Sequence, residues 1–123
     1  MKYSLNQTLN TFFLKGVFLI FSLTLQANDK DDFVYDLALA TQGVSVSQYN
    51  TGINYSIGRG IPKETKKSIY WYQRASDQGH SKAPFNMAIL YAKGEGVGKN
   101  LPLALKYFKL SASLKINLCV SFL

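Results

Sequence analysis

Apolar positions in this chain recur at helical spacing, and glycine-containing turns separate the apolar stretches. Phe33, Leu37 and Ala40 lie at i, i+4 and i+7, which places them on one face of a helix that ends at Gly43. The same kind of stripe recurs along the rest of the chain. The pattern predicts helices over about residues 31–42, 47–57, 65–78 and 81–92, and a fifth that begins after Asn100.

The turns between these helices repeat. Segment 91–100 has a counterpart 36 positions earlier, at 55–64. The shared offset extends into the flanking helices and weakly upstream, which indicates about two and a half structural repeats rather than chance composition. The matching residues are Tyr55, Gly58, Gly60, Ile61 and Lys63 in one turn, and Tyr91, Gly94, Gly96, Val97 and Lys99 in the other.

Small residues occupy an equivalent position in the two units. Gly52 lies inside a predicted helix, where glycine costs about 0.5–1 kcal/mol relative to alanine, and Ala88 follows 36 positions later. We therefore predict a close crossing with the following helix at this position. Asn100 is predicted to cap the last helix, with Pro102 in its first turn.

The spacing of small, aromatic and glycine positions resembles the Sel-1-like repeats, which are relatives of the tetratricopeptide repeats. The resemblance covers about residues 31–113. It implies an all-α fold, an α-solenoid of antiparallel helix pairs, and a scaffold or adaptor that binds protein partners without catalytic residues. Physical reasoning gives the same architecture, because a single helix pair cannot cover its own apolar face. The residues that carry the resemblance include Gly52, Tyr55, Gly58, Gly60, Trp71, Tyr72, Ala75, Gln78, Gly79, His80, Ala83, Met87, Ala88, Tyr91, Gly94, Gly96, Tyr107 and Phe108.

The repeat register is lost near residue 114. Lys115 stands where the repeat expects glycine, and residues 114–123 form an atypical hydrophobic tail. A solenoid normally ends on a polar outer face. Two interpretations stay open: the copy is truncated relative to a longer repeat protein, or the tail folds back over the last helix.

The N-terminal segment has the pattern of an export signal. An apolar run from Val17 to Leu25 follows Lys2 and Lys15, which predicts a signal peptide over residues 1–27. Nine residues at about 1.5 Å each cannot cross a hydrocarbon core of roughly 30 Å as a helix. The expected location is therefore secreted or periplasmic, without a stable membrane span after cleavage. The alternative is an uncleaved anchor or a buried first helix.

Charge and cysteine content add little to this picture. The chain has 123 residues, of which 47% are hydrophobic and 17% charged, as in a globular domain. Its net charge of +7 falls to +5 without the two lysines of residues 1–27 (12 − 7 = 5), which favours anionic surfaces without naming one. Cys119 is the single cysteine, so no intramolecular disulfide can form.

The sequence offers no recognisable catalytic or cofactor motif. His80 is the single histidine, which excludes a multi-histidine metal site and leaves a structural role at the turn between units. The pairs Gly58/Gly60 and Gly94/Gly96 follow helices rather than strands, so they indicate turns and not phosphate loops. We expect no cofactor, no metal and no nucleic-acid partner, since the repeated aromatic residues are predicted to form the core.

An aromatic residue next to an asparagine repeats on the first helix of each unit. Tyr49 and Asn50 correspond to Phe85 and Asn86, and such pairs make good interface anchors. The alternative is that Phe85 packs against its neighbour and Asn86 faces water. The leading hypothesis is an exported, non-enzymatic scaffold that binds a protein through these four residues. The alternatives are a secreted hydrolase acting on cell-wall or antibiotic-like substrates, and a gene product without function.

Overall fold

The structure is a computed structural model that describes residues 16–17, 19–20 and 28–122. Most of the predicted signal peptide therefore lies outside the described residues. Within the described part, no helix is long and apolar enough to cross a membrane. The helices are α1 over residues 28–41, α2 over Ser45–Ile57, α3 over Thr65–Asp77, α4 over Lys82–Lys93 and α5 over Leu101–Ser121.

The helices form antiparallel pairs that stack in chain order, so the predicted all-α solenoid is confirmed. Helix α2 packs on α3, and α4 packs on α5. Contact between α3 and α4 joins the two pairs. The central core at that junction contains Tyr72, Ala75, Ala83, Met87 and Leu90, while a second cluster around Phe33 and Tyr55 joins α1 to the first pair.

The repeated turns have the same hydrogen bonds in both units. The backbone N–H of Glu64 donates to the carbonyl of Tyr55 at 2.9 Å, and that of Asn100 donates to the carbonyl of Tyr91 at 2.9 Å. Gly58 and Gly94 end their helices with φ of 75° and 72°, in the left-handed region that glycine adopts without strain. The shared sequence spacing thus reflects one turn geometry used twice.

The predicted close crossing at Gly52 is confirmed. A Cβ atom added at Gly52 would lie 2.5 Å from Cδ1 of Tyr72, so the α3 ring occupies the space that any larger residue needs. Ser68 on the same helix donates its hydroxyl to the Gly52 carbonyl at 2.7 Å. This contact brings the two backbones together and fixes where the Tyr72 side chain lies.

Helix α5 differs from its counterpart α3 mainly in length. Asn100 caps it as predicted, since its side chain accepts a hydrogen bond from the backbone N–H of Leu103 at 2.9 Å. Residues 114–121 continue the helix and are mostly exposed, so they do not fold back over it. Their helical form was not expected because the repeat register had already been lost.

The outer face of α5 repeats a packing face of α3 without a neighbour to cover it. Ile69 packs against the core between α3 and α4. Leu105, 36 positions later, is 55% exposed because no further described helix follows α5. The stack therefore ends on an apolar surface within the described residues.

Candidate protein-binding groove

The four predicted partner-binding residues lie where the repeat offset puts them, on α2 and α4. Their surroundings differ between the two units. Phe85 is 44% exposed, whereas Tyr49, Asn50 and Asn86 are only partly accessible. The equivalence of the two pairs in sequence therefore does not extend to their accessibility.

Both asparagines bond to the preceding helix rather than standing free. Asn50 donates its amide to Oδ1 of Asp36 at 3.2 Å, and Asn86 donates to the hydroxyl of Tyr72 at 3.3 Å. Each acceptor lies 14 residues before its asparagine. The amides thus make equivalent contacts across successive unit junctions, and they contribute to stacking before any partner binds.

Tyr49 is part of an aromatic stack at the junction. Its ring lies 4.4 Å from the His80 ring at an interplanar angle of 23°, and its hydroxyl is 3.4 Å from the amide nitrogen of Asn86. Burial lowers the pKa of His80, and the positive charge of Lys82 lowers that pKa further. His80 is therefore a neutral ring at pH 7 that packs on Tyr49.

His80 does not have the partners of a catalytic base. Its Nδ1 atom is buried and has no hydrogen bond within the described part of the chain. In a hydrolase that uses a histidine base, one ring nitrogen bonds the nucleophile and the other is held by an orienting group. The contacts around Nδ1 give the hydrolase alternative no support.

Phe85 faces α5 and a basic side chain. Its ring makes an edge contact with Phe108, with the centroids 5.5 Å apart. The ammonium group of Lys115 lies 6.0 Å from the centroid of the Phe85 ring, at the outer limit of a cation–π contact. The residue that breaks the glycine pattern of the repeat thus reaches back to a predicted partner-binding residue.

Three of the four predicted residues line one cleft. It has a volume of about 310 Å³ and is lined by the N-terminal halves of α2 and α4 and by one residue of α5. Neither of its lysines makes an ion pair with any residue that the structure describes. The residues of this cleft, called here the upper cleft, are Tyr49, Lys82, Phe85, Asn86 and Lys115.

A second cleft continues between α2 and α4 toward their C-terminal ends. It has a volume of about 440 Å³ and also includes Asn86, so the two clefts adjoin at that residue. Its lysines, Lys63 and Lys93, lie 4.0 Å and 3.9 Å from the carboxylate of Glu95. The residues of this lower cleft are Ile53, Ser56, Ile57, Lys63, Tyr72, Asn86, Ile89, Leu90, Lys93 and Glu95.

Together the two clefts form one groove with apolar walls and basic ends, which are features suited to binding a partner. The phenol of Tyr72 donates a hydrogen bond to Ser56 and accepts one from Asn86. Burial raises the pKa of this phenol, so it stays protonated at neutral pH. Among the residues that the structure describes, no three histidine, cysteine or acidic side chains come together as a metal site.

Asn50 lies outside this groove. It borders a separate pocket of about 400 Å³ with Asp36 and Arg59, on the α1 side of α2. The two asparagines that the offset of 36 relates thus bond to equivalent positions of the preceding helix but line different pockets. Lys82 and Lys115 also line the groove but were not predicted from the sequence as partner-binding residues. The signal for Lys115 was visible, because a lysine replaces the glycine that the repeat expects at that position.

Comparisons with known proteins agree with this architecture. The sequence profile of the Sel1 repeat matches residues 45–80 and 81–115. The first match contains α2 and α3, and the second contains α4 and most of α5. A comparison with curated proteins gave no match.

Two solved structures have the same fold. A Sel1 repeat protein from Oxalobacter formigenes is 34% identical, with a TM-score of 0.61, over 67% of this chain and 34% of that one. The protein c5321, a protective antigen of uropathogenic Escherichia coli strains with an SLR fold, is 24% identical, with a TM-score of 0.66, over 70% of this chain and 18% of that one. This chain thus spans about a third and about a fifth of these two proteins.

Proposed function

Because this chain belongs to the Sel1 repeat family, we propose that it is an exported, non-enzymatic scaffold that holds a protein partner in the groove between α2 and α4. Sel1 repeats generally act as protein-interaction scaffolds. The groove supports the assignment because it combines apolar walls with polar groups that are already positioned. Such concave surfaces are where solenoids bind extended partners.

The single observation that carries the proposal is the convergence of both clefts at Asn86. Three of the four residues that the repeat pattern singled out lie at one end, and isoleucines of both helices form the walls at the other. A partner laid along the groove would contact both repeat units at once. Recognition would then depend on the stacking of the units and not on either unit alone.

A substitution at the groove wall tests this function without disturbing the stack. Ile57 lines the lower cleft and is 58% exposed, so Ile57→Glu should fold normally and weaken partner binding. Val46 is 59% exposed on the same helix and lines neither cleft, so Val46→Glu is the matched control. Replacing Asn86 would be a poorer test, because its loss also removes the bond to Tyr72.

Partner contact can be measured by placing a photo-crosslinking residue at Ile89, inside the groove, and at Arg74, on the exposed side of α3. Crosslinking in the producing cell should give a discrete adduct from Ile89 alone, and Ile57→Glu should abolish it. An equal adduct pattern from both positions, or one that Ile57→Glu leaves unchanged, would count against the groove.

Export is part of the proposal and rests on the apolar run after Lys15. The expected product of cleavage begins at Asn28. N-terminal sequencing of protein recovered from the periplasm or medium checks this directly. Recovery of the protein solely from the cytosol, with Met1 or Lys2 at its start, contradicts export.

The open end of the stack extends the proposal to a longer array. Leu105 is exposed at the position where Ile69 packs against the next unit, so a further repeat would find a matching surface on α5. This supports the interpretation of the chain as a shortened copy of a longer repeat protein. The downstream DNA, translated in three frames, should encode further units, and their absence there opposes it.

A further inference from the structure

We propose that the groove between α2 and α4 binds an extended peptide segment with an acidic residue near each end and apolar residues between them. This inference rests on the proposed function, because it assigns a chemical class to the partner of the same groove. It goes further in that it derives the charge and the spacing of the partner from the positions of four lysines.

The upper cleft has an uncompensated positive charge. Lys82 and Lys115 both line it and are exposed, and neither has a carboxylate within ion-pair distance among the described residues. Lys82 also lies in the first turn of α4, where the partial positive charge of the helix end adds to its own. A carboxylate placed in this cleft would therefore gain two cationic neighbours.

The lower cleft has a weaker charge of the same sign. Lys63 and Lys93 share a single carboxylate, that of Glu95, at 4.0 Å and 3.9 Å. Distances near 4 Å between exposed groups are loose pairs of small energy. The net charge of this end is thus about +1, from two lysines and one glutamate, and it leaves room for one further acid.

The lysines are spaced for an extended segment. Lys82 and Lys93 begin and end α4, eleven positions apart, which at about 1.5 Å per residue is roughly 16 Å. An extended chain advances about 3.3 Å per residue, so acids about five positions apart would reach both ends. The groove thus fixes a spacing as well as a charge.

The middle of the groove suits aliphatic side chains and a peptide backbone. Ile53 on α2 and Ile89 on α4 face it from opposite sides. The hydroxyls of Ser56 and Tyr72 and the amide of Asn86 lie beside these apolar walls. Their donor hydrogens are used within the protein, which leaves oxygens such as Oδ1 of Asn86 to accept from the backbone N–H groups of a peptide. The groove does not favour a nucleic acid, because the Tyr49 ring already stacks on His80 and contacts the Tyr72 ring, so neither tyrosine presents a free face to a base.

Three pools of blocked six-residue peptides test the proposal. The four central positions vary among leucine, isoleucine, valine and phenylalanine, and both end positions are glutamate, glutamine or lysine. Each pool is passed over the immobilised protein in 50 mM salt, and the retained peptide is quantified by mass spectrometry. We expect the glutamate pool to be retained at least fivefold more than the other two, and the preference to shrink in 0.5 M salt.

Two double variants that remove the same charge test whether the preference for acidic peptides arises in the upper cleft. Lys82→Gln/Lys115→Gln should reduce retention of the glutamate pool about fivefold and leave that of the glutamine pool unchanged. Lys99→Gln/Lys106→Gln removes the same charge from exposed lysines that line neither cleft, and it should leave both pools unchanged. The two double variants separate a specific site from attraction by net charge.

Three results overturn the inference: equal retention of the three pools, no retention of any pool, or an acidic preference that survives Lys82→Gln/Lys115→Gln. The Ile89 crosslink distinguishes these from a failure of the proposed function. If Ile57→Glu abolishes the adduct but the peptides show no acidic preference, the groove remains the proposed partner site and the proposal of an acidic partner is wrong. If neither the Ile57→Glu-sensitive adduct nor the acidic preference is found, both proposals are wrong.

Discussion

Replacing Gly52 by alanine should destabilise the protein, although alanine is the better helix former. Gly52 lies in the middle of α2, where helix propensity alone favours alanine by about 1 kcal/mol. The added Cβ would lie 2.5 Å from Cδ1 and 2.6 Å from Cε1 of Tyr72. Those atoms belong to a rigid ring that is 1% exposed, so the ring or the helix must move.

The net effect follows from three contributions. Overpacking of a dense core costs about 1–3 kcal/mol. Displacing the ring also weakens the bonds of the Tyr72 hydroxyl to Ser56 and Asn86, at about 0.5–1.5 kcal/mol each for bonds of ordinary strength. These two bonds measure 3.4 Å and 3.3 Å, so the lower value applies. After the gain in propensity, the free energy of unfolding should fall by about 2 kcal/mol, or roughly 8–16 °C in Tm.

Urea unfolding followed by circular dichroism measures this change. Val46→Gly and Val46→Ala, at an exposed position of the same helix, give the propensity difference between the two residues without a steric term. Ala88→Gly probes the equivalent buried site of the second unit and should cost about 1–2 kcal/mol, from lost propensity and a lost methyl contact. A Gly52→Ala protein that is about 1 kcal/mol more stable than wild type would refute the crossing.

Three further measurements follow from the described contacts. Asn100→Ala should lower stability by about 1 kcal/mol, because the N-cap bond to Leu103 is lost, while Lys99→Ala should have little effect; urea midpoints compare them. Deleting residues 116–123 should change Tm by less than about 3 °C, since those described are exposed, and a larger loss would mean that the end of α5 is packed. Burial holds the pKa of His80 below its unfolded value of 6.5, so the contribution of the neutral ring to the free energy of unfolding is fully present above that pH. This contribution is lost as the pH drops from about 6.5 toward the folded pKa. His80→Gln should therefore flatten the fall of Tm between pH 7.5 and 5, and an unchanged slope contradicts this role.

The repeat offset predicted the helices well because the glycine turns carry unambiguous geometry. Gly58 and Gly94 end α2 and α4 as expected, and the crossing at Gly52 followed from the cost of glycine inside a helix. The end of α5 could not be predicted in the same way. Beyond about Ser113 the register no longer applies, and β-branched residues such as Ile116 and Val120 do not indicate a helix by propensity.

The binding surface was only partly accessible to sequence reasoning. An offset finds equivalent residues, but their surroundings depend on which helix lies before and after them. Asn50 meets the carboxylate of Asp36, whereas Asn86 meets the phenol of Tyr72, so the first faces a polar pocket and the second faces the groove. Lys115 comes from a different helix and lies outside the pairwise pattern.

Tyr72 contacts the helices on both sides of the groove from a third helix. Its ring packs against Gly52, and its hydroxyl lies 3.4 Å from the Ser56 hydroxyl on α2 and 3.3 Å from the Asn86 amide on α4. One phenol therefore bonds both walls of the groove and helps to hold their spacing. A ligand that widened the groove would have to lengthen at least one of these two bonds, so Tyr72 couples occupancy of the groove to the junction between the two repeat units.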